Sequence, residues 1–224
     1  MKKVMILPLS LLVFYGCSYP NIPTEIKQKF AVCYTGKDTG IESHIEINGY
    51  YTIYEQNNYR NNMIFFKDGM FASQFIIIPD LYASDTCINL IQGRTLIRNN
   101  KSYINSEFYS GMYWIVGDTI KVRDLNRSSQ LSSIFFSESW FKIIDRQTLQ
   151  YIYYKPLIVD IRTYAVKTIE EWQNGRNLPL AKYHCVDSIP SSDSWLKEQK
   201  WLWCNEEDWK VYMENLKNEK KLKK

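Results

Sequence analysis

Histidine is the scarcest chemistry in this chain, with two in 224 residues. Imidazole carries much of protein acid–base work and metal ligation, so both of those functions have few candidates here. His44 lies between Glu42 and Glu46. A Glu-His-Glu row of this kind is explained by an exposed polar strand face as well as by a cation site. His184 adjoins Cys185, a pairing that can activate a thiol, but neighbours on a strand point to opposite faces. None of the five cysteines stands in a CxxC spacing, which removes the usual zinc frameworks. The chain also lacks GxSxG, HExxH, a Walker loop and a dinucleotide fingerprint. No catalytic residue, metal ligand or cofactor is therefore assigned from the sequence. Carboxylate pairs of the glycosidase kind leave no linear signature either way.

Charge of either sign is nearly absent in the balance. The formal net charge is +4, and without Lys2 and Lys3 the chain carries 26 cationic against 24 anionic side chains, or +2. No basic stripe interleaved with aromatics appears, so nucleic acid is not an expected partner. Long apolar runs are missing too. The longest, Val4–Tyr15, is 12 residues and is interrupted by Pro8 and Ser10, whereas a spanning helix needs roughly 20. With Lys2 and Lys3 before it and Gly16-Cys17 after it, this run has the form of a secretory signal peptide.

Val13-Phe14-Tyr15-Gly16-Cys17 resembles the lipobox of bacterial lipoproteins, with Phe14 and Tyr15 bulkier than the usual residues. The resemblance implies cleavage after residue 16 and acyl chains on Cys17. It also implies a membrane partner held through that lipid anchor, since each buried CH₂ contributes about 0.8 kcal/mol. Residues 1–16 are then the signal peptide, and 17–28, with prolines at 20 and 23, a lipidated tether. The expected location is the bacterial cell envelope, on the outer or inner membrane, facing periplasm or exterior.

What the chain has in quantity is aromatic residues, 15% of the total with 17 tyrosines, a composition that favours strands. Short apolar runs alternate with turn residues. Phe30–Tyr34 is a candidate first strand, and Ile41, Ser43, Ile45 and Ile47 alternate with polar residues up to Asn48-Gly49, which predicts a hairpin there. Met63–Lys67 and Met70–Ile78 are joined through Asp68-Gly69, with Pro79 ending the second strand. From Ser110 to Tyr154 an antiparallel meander turns at Gly117-Asp118 and Asp145-Arg146-Gln147. Around the first turn Ile120 and Val122 share one face, while Thr119, Lys121 and Arg123 share the other.

Eight or more short strands joined by tight turns predict a mainly β fold, an antiparallel up-and-down meander closing into a barrel. The strand start Gly49-Tyr50-Tyr51, the FFKDG, GMYWIVGDTIKV and WFKIIDRQTL hairpins, and the span Ile45–Tyr154 resemble small lipocalin-like lipoproteins of the Bacteroidetes envelope. That resemblance implies a barrel whose interior can hold a small apolar ligand, in proteins most of which have no assigned activity. The barrel is expected over residues 29–160, and non-catalytic binding of a small apolar or amphiphilic ligand is the expected function. This expectation requires that the interior not be filled by the barrel's own side chains.

Residues 161–224 form an aromatic-rich C-terminal extension. Asn205 before Glu206, Glu207 and Asp208 predicts a helix start, and Trp209, Tyr212, Met213 and Leu216 fall on one face. Trp195, Trp201, Trp203 and Trp209 either seal this tail to the barrel or present an interaction surface to an envelope protein partner. With Cys17 assigned to lipid, Cys33, Cys87, Cys185 and Cys204 are an even set for an oxidising compartment. Of three connectivities, Cys33–Cys87 with Cys185–Cys204 is favoured, because each bond then staples one half of the chain.

Overall fold

Alternating side chains give each strand an inner and an outer face, and in the computed structural model those faces close on themselves. The structure describes residues 22–30, 32–54, 60–73, 88–89, 95–98, 101–104, 109–128, 133–158, 178–189 and 191–222. Its strands are β1 Gly49–Tyr54, β2 Arg60–Phe65, β3 Met70–Ser73, β4 Ile88–Asn89, β5 Thr95–Arg98, β6 Lys101–Ile104, β7 Tyr109–Val116, β8 Thr119–Ser128, β9 Ser133–Asp145, β10 Thr148–Ile158 and β11 Leu180–Ser188. β1, β2, β3, β7, β8, β9, β10 and β11 follow one another around an antiparallel up-and-down wall, and β1 pairs with β11 to close it. β4 adds to β11 in parallel, and β5 and β6 form their own two-stranded sheet.

The hairpins at Asp68-Gly69, Gly117-Asp118 and Arg146-Gln147 lie where the sequence puts them. Gly117 takes φ 62° between Val116 and Thr119, a left-handed geometry that a two-residue hairpin needs and that glycine tolerates. The barrel does not end at residue 160, however. Its eighth strand, β11, comes from the segment expected to be the extension. The reason is edge satisfaction: β1 and β10 would otherwise each present an unpaired ladder, and β11 pairs with both.

One end of the interior is filled. Tyr51, Met63, Phe65, Phe71, Tyr113, Ile120, Phe141 and Leu149 pack there, and Ile41, Ile45 and Ile47 plug it from below. Phe65 sits at the centre, with the rings of Tyr51, Phe71, Tyr113 and Phe141 at 5.9, 5.2, 5.5 and 6.2 Å. The plug corrects the predicted 41–47 strand and its Asn48-Gly49 hairpin. Ile41–Ser43 is a 3₁₀ turn, and Gly49 simply opens β1. Ile41 and Ile45 suit a single helical turn as well as a strand, and burial under the barrel decides between them. Tyrosine hydroxyls tie the plug in place. That of Tyr51 lies 3.0 and 2.8 Å from the carbonyls of Glu46 and Arg146, and that of Tyr113 lies 2.6 Å from the carbonyl of Phe66 and 2.7 Å from Thr39 Oγ1.

The outside of β3, β7, β8 and β9 is also covered. Met70, Met112, Leu125 and Phe136 pack against Ile22, Ile26, Phe30, Leu196 and Leu202. Residues 24–28 are thus not tether: Thr24–Phe30 is a helix, α1, whose apolar side seats on the barrel. At the described positions of Phe30–Tyr34 the expected strand is accordingly not formed. Tyr34 makes a single bridge to Trp203. The C-terminal helix, α2 (Glu206–Leu222), starts as expected, with Glu207 N–H donating to Asn205 Oδ1 at 2.9 Å. It rests on residues 193–203 through Trp209, whose indole N–H donates to the Glu198 carbonyl, and through the Tyr212 ring against Trp203.

Candidate ligand site in the barrel interior

Side-chain size changes along the barrel axis. Beyond the aromatic floor, the inward positions are Asn61 on β2, Ser73 on β3, Gly111 on β7, Asp124 on β8, Ser137 and Ser139 on β9, and Tyr151 and Tyr154 on β10. An irregularity between Tyr151 and Tyr153 in the β9–β10 ladder lets Tyr151 and Tyr154 face the same side. Floor residues such as Ile41, Ile45, Ile120 and Leu149 are 0% exposed, whereas Asn61, Asp124, Ser139 and Tyr154 retain accessible surface inside a closed wall. Most residues at this level are small, in contrast to the rings of the floor, and Ser73, Gly111 and Ser137 among them are buried.

Asp124 is the charged member of this set. It is half-buried, and Ser137 Oγ donates to its Oδ1. Desolvation pushes its carboxyl up to about 6, opposed by the Ser137 hydroxyl and its own backbone N–H. Among the described residues, no ion pair offsets that cost. The nearby charges point outward: Arg123 Nε binds Glu138 Oε2 at 2.8 Å, and Lys121 lies 4.0 Å over the Trp140 ring. Asn61 Oδ1 is buried without a hydrogen-bond partner. Gly111, opposite Asp124, allows a close strand approach, because a Cβ there would stand 2.3 Å from the Arg123 carbonyl oxygen.

The sequence carried a signal for Asp124. It continues the parity of Ile120 and Val122, so a carboxylate falls in an otherwise apolar register. Asn61, Ser137 and Ser139 carried none, since polar residues on a strand are ordinarily read as its solvent face.

The residues singled out beforehand fall elsewhere. Cys17 and Cys87 lie outside the described residues. Cys33 is bonded to Cys204, with Cα atoms 4.8 Å apart, so the favoured Cys33–Cys87 and Cys185–Cys204 pairing is not formed. The tail folds back on the N-terminal segment, where Cys204 N–H donates to the Tyr34 carbonyl at 2.9 Å and brings the two sulfurs together. Cys185 is disulfide-bonded as well, so it offers His184 no thiol. The His184 ring instead stacks on Tyr50, with centroids 5.0 Å apart. Glu42 and Glu46 pair with Lys67 and Arg146, each at 2.8 Å, rather than with His44.

Trp195, Trp201 and Trp203 pack into the outer cluster, with Trp201 edge-on to Phe30 at 5.7 Å and Trp203 edge-on to Tyr34 at 4.7 Å. Beside them a buried ion pair joins tail to hairpin. Lys197, 5% exposed, places Nζ 2.7 Å from Asp68 Oδ2. The same oxygen accepts from Ser192 Oγ at 2.7 Å and from the Tyr34 hydroxyl at 2.9 Å. Desolvation would raise the Asp68 carboxyl, but Lys197 and these hydrogen bonds outweigh it and hold it below its usual range.

A depression of about 540 Å³ opens at the filled end between Glu46, Asp145, Arg146 and Lys182. Its bases are already engaged, Arg146 with Glu46 and Lys182 with Thr148 Oγ1, each at 2.8 Å. Among the described residues, no three His, Cys, Asp or Glu side chains gather to hold a metal, and no helix is long and apolar enough to cross a membrane. No family model, curated protein or solved structure matches the chain, so the polar level above the aromatic floor stands on its own geometry.

Proposed function

We propose that this protein is a cell-envelope lipoprotein that holds a small amphiphilic molecule inside its barrel without catalysing its conversion. The observation that carries the reading is the change from a filled aromatic floor to a polar level formed by Asn61, Asp124, Ser137 and Ser139, of which Asn61, Asp124 and Ser139 are half-buried. A barrel serving only as a scaffold gains nothing from an uncompensated carboxylate at its centre, because burying one unpaired is costly. A ligand whose polar end meets that level would offset the cost.

The anchor at Cys17 rests on the lipobox pattern. The first described residue, Ile22, packs on the barrel five residues after Cys17, so acyl chains on Cys17 would hold the barrel within about 18 Å of a bilayer. An accessory role through the Trp-rich tail has less support, since Trp195, Trp201 and Trp203 pack on the protein's own barrel.

Two measurements test this reading. Small molecules extracted from the lipoprotein purified from its native membrane are compared by mass spectrometry with those from a non-lipidated form made in a foreign host. A compound enriched in the native sample and bound again by stripped protein is expected; its absence refutes ligand carriage. Cys17→Ala should release the protein from the membrane fraction, and continued membrane retention would refute the anchor.

A further inference from the structure

The interior that the proposed function relies on is one-sided in its chemistry. Among the described side chains at inward-facing positions of the eight wall strands there is one carboxylate and no lysine, arginine or histidine. Asn61 Oδ1 is a buried acceptor with no partner. The Ser137 hydroxyl spends its proton on Asp124 and retains only acceptor capacity. The charges on adjacent outward positions, Arg123 and Glu138, neutralise each other. An anionic head would meet Asp124 with no cation to receive it. A purely apolar guest would leave Asp124 with the Ser137 hydroxyl as its side-chain donor and Asn61 Oδ1 with none. A donor-rich cation answers both groups at once.

We propose that the molecule held in this barrel carries a compact cationic donor head, an ammonium or amidinium group, seated on the Asp124 carboxylate with Asn61 Oδ1 as a further acceptor. The assignment rests on the ligand-carrier reading and narrows it to a class. Oleophilic amines fit it; fatty acids and phosphate-headed lipids do not.

The test uses the full mature chain with Cys17→Ser and three probes of equal chain length: dodecylamine, dodecanol and dodecanoate. Binding is read by tryptophan fluorescence and confirmed by native mass spectrometry. The amine should bind at least ten-fold more tightly than the alcohol, and the carboxylate more weakly than either. Asp124→Asn, which keeps the side chain's shape, should remove the amine's advantage and change alcohol binding by less than about three-fold. Equal binding of all three probes by the unsubstituted protein would overturn the cationic head while leaving the carrier reading intact. An amine preference that survives Asp124→Asn would overturn Asp124 as its seat. Failure of all three to bind, together with nothing extracted from the native protein, would overturn both readings. The probe series on the unsubstituted protein decides the class even if the variant fails to fold.

Discussion

Replacing Lys197 by methionine should loosen the whole C-terminal clasp. Lys197 Nζ is 2.7 Å from Asp68 Oδ2, and at an effective dielectric of about 20 that separation corresponds to about 6 kcal/mol of attraction before desolvation. Methionine returns the desolvation cost of the ammonium but leaves the Asp68 carboxylate part-buried, with the Ser192 and Tyr34 hydroxyls and the Met70 N–H as its remaining donors. The net loss should be about 3–5 kcal/mol, the range for breaking one side of a buried pair. Asp68→Asn alone should cost less, because Lys197 keeps Ser192 Oγ at 2.6 Å and Asp193 at 4.0 Å. The double variant should recover part of the loss, giving a coupling of about 2–3 kcal/mol. Urea unfolding under non-reducing conditions reads this directly, with Trp195, Trp201 and Trp203 in the clasp as fluorescent reporters. A Lys197→Met loss below about 1 kcal/mol, or strict additivity in the double variant, would refute the clasp as a stabilising unit.

Asp124 gives an opposite pH signature. Its carboxyl is raised from 3.8 to about 6, so the folded state holds the proton more tightly than the unfolded one and stability falls as pH rises across that window, by at most about 3 kcal/mol. Unfolding curves at pH 4 and pH 7 should show Asp124→Asn gaining on the unsubstituted protein at the higher pH; parallel curves would contradict a desolvated carboxylate. A non-reducing peptide map should join the Cys33 and Cys204 peptides, and the Cys33→Ala/Cys204→Ala chain should lose up to about 5 kcal/mol for a separation of 171 residues. A Cys33 peptide linked to any other cysteine would refute that bond. Gly111→Ala should cost more than Gly117→Ala. The first Cβ meets backbone at 2.3 and 2.9 Å, worth about 1–3 kcal/mol or more, while the second meets nothing within 4 Å and bears only the cost of φ 62°, about 1 kcal/mol. Equal losses in thermal melts would count against the close approach of β7 and β8.

The barrel was legible in the sequence because its signals are local. Gly117-Asp118, Asp68-Gly69 and the alternation of Ile120 and Val122 each fix a hairpin or a strand face within a few residues. Closure was expected from the number of strands, but the strand that makes it was not legible. β11 must find β1, and nothing near Leu180–Ser188 announces that partner. The same limit hid the disulfide: stapling each half of the chain separately is the economical guess, yet Cys33 and Cys204 meet because the tail lies over α1 and the outer wall. Asp68 reads as a turn residue and is one, but its second role, binding Lys197, depends on a segment more than a hundred residues away. The candidate site shows the same division. Asp124 was within reach of a parity argument, while Asn61 and Ser73 became inward-facing only once the curvature of the wall was known.

The seam between β1 and β11 also sets the order in which this molecule can be made. Tyr51 and Tyr183 become neighbours only after nearly every intervening strand exists, so early hairpins must wait, exposed, for the last ladder to form. Contacts of that sequence separation carry a large loop-closure cost before any reward arrives. Assembly is therefore expected on the order of milliseconds to seconds, with ring closure as the late event. A chain truncated before Leu180 would keep its turns and meander but leave β1 and β10 as open edges, a species prone to pair with its own copies.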